Sequence, residues 1–80
     1  MAFHPDERAL STTSPSGEVF RGTTTLNPAV CCVVWAWSNS SEAWLRQTGF
    51  VPYSEAGRQL SALLADCPTV RPVLTPCTVA

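Results

Sequence analysis

The chain contains no Lys and no Ile, a single His, and only 14% charged residues, against a usual figure of about 25%. Each shortage removes a class of chemistry. Without Lys there is no Schiff-base catalysis and no lysine for a phosphate-binding loop. With His4 as the sole imidazole, a multi-His metal site cannot be built. The net charge of −1 offers no field to nucleic acid or anionic lipid, and Arg8, Arg21, Arg46, Arg58 and Arg71 are scattered rather than striped. The longest apolar run, Ala29 to Trp37, has nine residues, far short of the roughly 20 a membrane helix needs. His4, Asp6, Glu7 and Arg8 interrupt the N-terminal segment, which therefore lacks the apolar core of a secretory signal. The expectation is cytoplasmic synthesis, with a virion as a further setting.

Part of the shortage is genomic. Gly, Ala, Arg and Pro total 25 residues, whereas Phe, Tyr, Met, Ile, Asn and Lys together total 7, the bias of a GC-rich coding genome. The consequence for the surface is physical all the same. The polar complement is mostly Ser and Thr, and hydroxyls cost less to desolvate than unpaired charges. Interface cores are depleted in charge in the same way. At 80 residues the chain is one small domain that buries only about 60% of its unfolded surface, so contact with copies of itself or with a partner would supplement a thin core.

Residues 1–16 read as a flexible N-terminal arm, because Leu10 to Gly17 is rich in Ser, Thr, Pro and Gly without periodicity. Residues 17–80 form the single folded domain. From Glu18 to Thr25 the β-branched and aromatic residues favour a strand, with Gly22 suggesting a bulge. Leu26, Asn27 and Pro28 turn the chain into a second strand, Ala29 to Trp37, and the pair is expected to form a hairpin. Cys31, Val33, Trp35 and Trp37 share one face and Val30, Cys32, Val34 and Ala36 the other. Both faces are apolar, so this strand should be buried on both sides.

Asn39 and Glu42 have capping-box spacing, predicting a short helix over 40–48 that Gly49 ends, with Phe50 folded back on Leu45. Ser54 caps a second helix to about Asp66, whose apolar stripe is Ala56, Leu60, Leu63, Leu64 and Cys67. In the tail, Pro68, Pro72 and Pro76 recur every four residues. In a strand their missing donors all fall on one edge, leaving Thr69, Arg71, Val73, Thr75 and Cys77 to pair on the other, which describes an edge strand protected from further pairing; the rival reading is a polyproline-like strap lying on a neighbour. The fold class is thus α+β: a small antiparallel or mixed sheet of about three strands with two short helices on one face, in the order β-β-α-α-β.

Cys31, Cys32, Cys67 and Cys77 lack the paired spacing of a zinc site, and adjacent cysteines on a strand point to opposite faces. No metal or cofactor is therefore expected. A Cys67–Cys77 disulfide would close a short loop in an oxidising setting; otherwise the four act as small apolar residues. The one His lies in the arm, no nucleophile stands beside a base, and no catalytic motif is present, so no catalytic residue is assigned. Trp35 and Trp44 read as core. Trp37, at a strand end, is the best exposed anchor, and with Arg58 and Arg71 it makes up the candidate partner-binding set. Asn39-Ser40-Ser41 matches a glycosylation sequon but reads better as the helix cap. These features favour a non-enzymatic assembly or interaction protein, such as a capsid-cementing, tail or accessory component of a phage or virus. The alternatives are a small inhibitor or adaptor that binds one host protein, and a cysteine-based zinc or redox module.

Overall fold

The computed structural model describes residues 7–80. Its elements run β1 (Arg8–Thr13), β2 (Val19–Thr24), a 3-10 turn (Pro28–Val30), β3 (Cys31–Ser38), β4 (Ala43–Arg46), β5 (Val51–Pro52), α1 (Tyr53–Asp66), β6 (Pro72–Pro76) and β7 (Thr78–Val79). They form an α+β fold with two antiparallel sheets. One has the order β2-β1-β7; in the other β3 is central, with β4 and β5 along one flank and β6 along the other.

The doubly apolar run predicted at 29–37 is the centre of the molecule. Cys31 to Ala36 are all buried and supply six of the nine buried apolar residues among those described. Strand alternation divides them between two cores. Cys31, Val33 and Trp35 meet Leu10 of β1 and Cys77, with Phe20, Leu26, Trp44 and Phe50 around them. Cys32 and Val34 meet Ala56 of α1, with Val51, Leu60, Leu63 and Leu74 around them. The β3 sheet is thus covered by a second sheet on one face and by the helix on the other.

The two sheets are joined where one strand leaves the first and enters the second. β6 pairs with β3, β7 pairs with β1, and Cys77 is the single residue between them. Strands that switch sheets commonly make such corners. A buried hydroxyl pair ties the corner: the Thr12 hydroxyl is hydrogen-bonded to Thr75 Oγ1 (2.6 Å) and to the Pro76 carbonyl (2.9 Å), and Trp35 Nε1–H donates to Thr75 Oγ1 (2.8 Å). Every buried side-chain nitrogen and oxygen among the described residues has a partner, which removes the desolvation cost of burying these groups.

Several sequence expectations change. The arm assigned to residues 1–16 holds β1 at Arg8–Thr13, whose Leu10 is fully buried; burying one such side chain is worth roughly 2–3 kcal/mol. Its Ser and Thr residues concealed the apolar alternation. The first six residues lie outside the described residues. The strands over 18–25 and 29–37 do not form a hairpin. β2 pairs with β1 in full register from Thr13↔Val19 to Arg8↔Thr24, and the 3-10 turn carries the chain into the other sheet.

The helix over 40–48 is absent. Asn39 Oδ1 accepts from Trp37 Nε1–H (2.9 Å) instead of capping a helix, and Glu42 adopts a left-handed φ of 51° in the turn of the β3–β4 hairpin. Trp44 then lies opposite Trp37, and cross-strand aromatic packing outweighs a weak helical preference. The order is therefore β-β-β-β-β-α-β-β with one helix, not two. That helix starts after Pro52 without a side-chain cap, so Ser54 does not serve as one. Of its stripe, Ala56, Leu60 and Leu63 pack inward, whereas Leu64 and Cys67 are exposed.

Gly22 makes no bulge. A Cβ there would lie 2.9 Å from Phe50 Cε2, so the glycine lets the Phe50 ring sit directly on β2. Phe50, expected on Leu45, stacks with Phe20 at 5.0 Å between centroids, and the Arg46 guanidinium covers the Phe20 ring at 4.1 Å.

Candidate functional site

The antiparallel hydrogen-bond pattern gives the two edge strands opposite characters. Along β6, Trp37 N–H donates to the Arg71 carbonyl (3.2 Å) and Cys77 N–H to the Cys31 carbonyl (3.3 Å). Alternation then turns the backbone of residues 71, 73, 75 and 77 toward β3 and that of 72, 74 and 76 outward. Two of those three outward positions are Pro72 and Pro76. The predicted edge strand is present only over Pro72–Pro76, with the predicted parity and with Leu74 as its one outward donor; Pro68 and Thr69, expected in the same strand, lie in a turn closed by the bond from Val70 N–H to the Cys67 carbonyl.

β2 is built the other way. Ser14 N–H donates to the Glu18 carbonyl (2.7 Å), and on the far side of β1 Ala80 N–H donates to the Ala9 carbonyl (3.1 Å). The same alternation directs Phe20, Gly22 and Thr24 toward β1 and leaves the N–H and C=O groups of Val19, Arg21 and Thr23 facing outward. Among the described residues no strand pairs with that edge. It carries no proline and one charge, Arg21, whereas edge strands that avoid pairing usually carry prolines, charges or bulges. Val19 is 54% exposed at one end of it, and Val79, on the opposite edge of the same sheet, is 66% exposed.

Of the residues singled out for partner contact, Trp37 and Arg71 come together and Arg58 stands apart. Trp37 is half-buried, its ring edge-on to Trp44 at 5.6 Å, with its indole N–H satisfied by Asn39. Arg71 stands across from it, joined through the backbone bond noted above. Arg58 is on α1, exposed and ion-paired to Glu55 at 3.4 Å. The open β2 edge was missed because its signature is hydrogen-bond parity, which cannot be assigned until the pairing of β2 with β1 is known.

The cysteines are also redistributed. Cys67 is exposed at the end of α1, 3.7 Å from the Thr69 hydroxyl, while Cys77 is buried in the corner, and all four thiols are free. The structure does not bring Cys67 and Cys77 together. Burial pushes the Cys77 thiol up to about 12, reinforced by its hydrogen bond with the Cys31 side chain and by the neighbouring Cys31 and Cys32. Burial, with a smaller contribution from Cys31, raises Cys32 as well. Thiols held protonated in this way are poor nucleophiles and poor metal ligands. Among the described residues no three His, Cys, Asp or Glu side chains gather to hold a metal, and no helix is long and apolar enough to cross a membrane. His4 lies outside the described residues.

No family model matches the chain, and neither a curated protein nor a solved structure matches it.

Proposed function

We propose that the protein is a non-enzymatic assembly protein that associates with copies of itself, and that β2 is the edge through which it does so. The open, proline-free edge of β2 carries this reading. Strand addition at such an edge supplies main-chain hydrogen bonds without requiring a pocket. The near-zero net charge favours a second copy as the occupant, because repulsion between identical chains grows with the charge each carries. The Ser- and Thr-rich surface lowers the desolvation cost further. A small chain used in many copies suits a structural component of a phage or virus particle, which is the setting we favour.

Sedimentation velocity over a wide concentration range tests the reading, with Thr23→Pro as the comparison. The Thr23 amide faces outward, so proline there removes an edge donor without removing a bond to β1. The wild type should associate reversibly as concentration rises. Thr23→Pro should remain monomeric, with its melting temperature within a few degrees of the wild type. A wild type that is monomeric throughout would overturn self-assembly and favour the adaptor reading. Equal association by the variant would remove β2 from it.

A further inference from the structure

We infer that Cys31 and Cys77 form a disulfide when the chain folds in an oxidising environment, fastening the sheet-switching corner to the start of β3. The β3–β6 register runs from Ala36↔Pro72 to Cys32↔Pro76, and the bond from Cys77 N–H to the Cys31 carbonyl extends it one step. The two cysteines are therefore directly opposed across an antiparallel pair. Only one bond of this pair is made, since the Cys31 N–H turns back to the Pro28 carbonyl, but directly opposed residues have Cα atoms about 4.5–5.5 Å apart in either kind of antiparallel pair, inside the usual disulfide range of about 4.4–6.8 Å. Both side chains lie in the same buried cluster, beside Leu10, Val33 and Trp35.

The other two cysteines are placed to stay out of the bond. Cys32 points to the helix-side core, and Cys67 is exposed beyond the end of α1.

With glutathione disulfide as oxidant the chemistry balances. The thiolate of one cysteine attacks a glutathione sulfur, breaking its S–S bond and releasing one glutathione thiolate. The second cysteine's thiolate then attacks the protein sulfur of the mixed disulfide and displaces the other glutathione. Two electrons and the two thiol protons end on two glutathione molecules. Because both sulfurs are buried in the folded chain, the exchange belongs to folding, before the corner closes. The product is shielded from reductant for the same reason. The linkage would span a loop of about 46 residues, long enough to constrain the unfolded chain substantially.

The test is refolding of the full chain in a glutathione redox buffer, followed by intact mass, peptide mapping and thermal unfolding. The oxidised product should lose the mass of two hydrogens. Fragmentation between Cys31 and Cys32 should place the link on Cys31. The melting temperature should exceed that of the reduced chain by about 15 °C or more. Cys67→Ser should retain the link and Cys77→Ser should lose it. If a variant does not fold, peptide mapping of the oxidised wild type identifies the linked pair without it. A link that involves Cys32 or Cys67, or no link after refolding, would overturn the inference.

Discussion

β6 and β2 are both edge strands, of 5 and 6 residues, yet one is closed and the other open. β6 turns Pro72 and Pro76 outward; β2 turns outward the complete peptide groups of Val19, Arg21 and Thr23. Composition separates them only in part, since β6 holds two prolines and β2 none, and a proline can fall on either side of a strand. Parity decides. A proline blocks pairing only when its missing donor would have faced the free edge, and the four-residue spacing in β6 meets that condition twice.

The largest expected effect undocks the sheet that carries β2. Leu10 is the only buried apolar residue that β1 contributes, and Leu10→Ala should cost about 3 kcal/mol. Leu60→Ala, half-exposed on α1, should cost about 1 kcal/mol; urea unfolding compares the two. Next is the inner side of β6. Thr75→Val leaves Trp35 Nε1–H without its acceptor and should cost about 2 kcal/mol by the same measurement.

Alkaline pH acts on the residue that continues β6. In the reduced chain the folded state holds the Cys77 proton up to about pH 12, while the unfolded thiol releases it near 9.0. Over that window the folded state binds more protons. The Cys77 contribution to stability should be unaffected below about pH 9 and fall as pH rises toward 12, by at most about 1.4 kcal/mol per pH unit. Thermal melts across this range should show a larger fall in the reduced wild type than in the Cys31–Cys77 oxidised form, where only the buried Cys32 thiol still contributes. The smallest effect on stability bears most directly on the two edges. Pro72→Thr with Pro76→Thr should cost about 1 kcal/mol through the unfolded chain, while giving β6 three consecutive outward donors and raising the oligomer size seen in sedimentation.

The parts legible in the sequence were those fixed by alternation or by backbone chemistry. The apolar run containing Cys31–Ala36 favours a strand covered on both faces, and the spacing of Pro72 and Pro76 favours a protected edge over a strap before any partner strand is known. What misled was local polarity. β1 reads as loop because Ser11, Thr12 and Thr13 surround its one large apolar residue, and the hydroxyl of Thr12 is buried only because Thr75, 63 residues away, arrives to bond it. The capping-box spacing at Asn39 and Glu42 was real, but Trp37 and Trp44 gain more by facing each other across a hairpin. Of the candidate site, Trp37 and Arg71 were placed across from one another without any sequence signal for it, and the β2 edge depended on a register that only the fold defines.

Amide hydrogen exchange resolved by residue, recorded at low and high protein concentration, tests the open edge most directly. The account predicts that the Val19, Arg21 and Thr23 amides gain protection as concentration rises, while the outward Leu74 amide of β6 stays as exchangeable as before. Unchanged exchange along β2 at concentrations where the chain is oligomeric, or protection that appears at Leu74 instead, would contradict it.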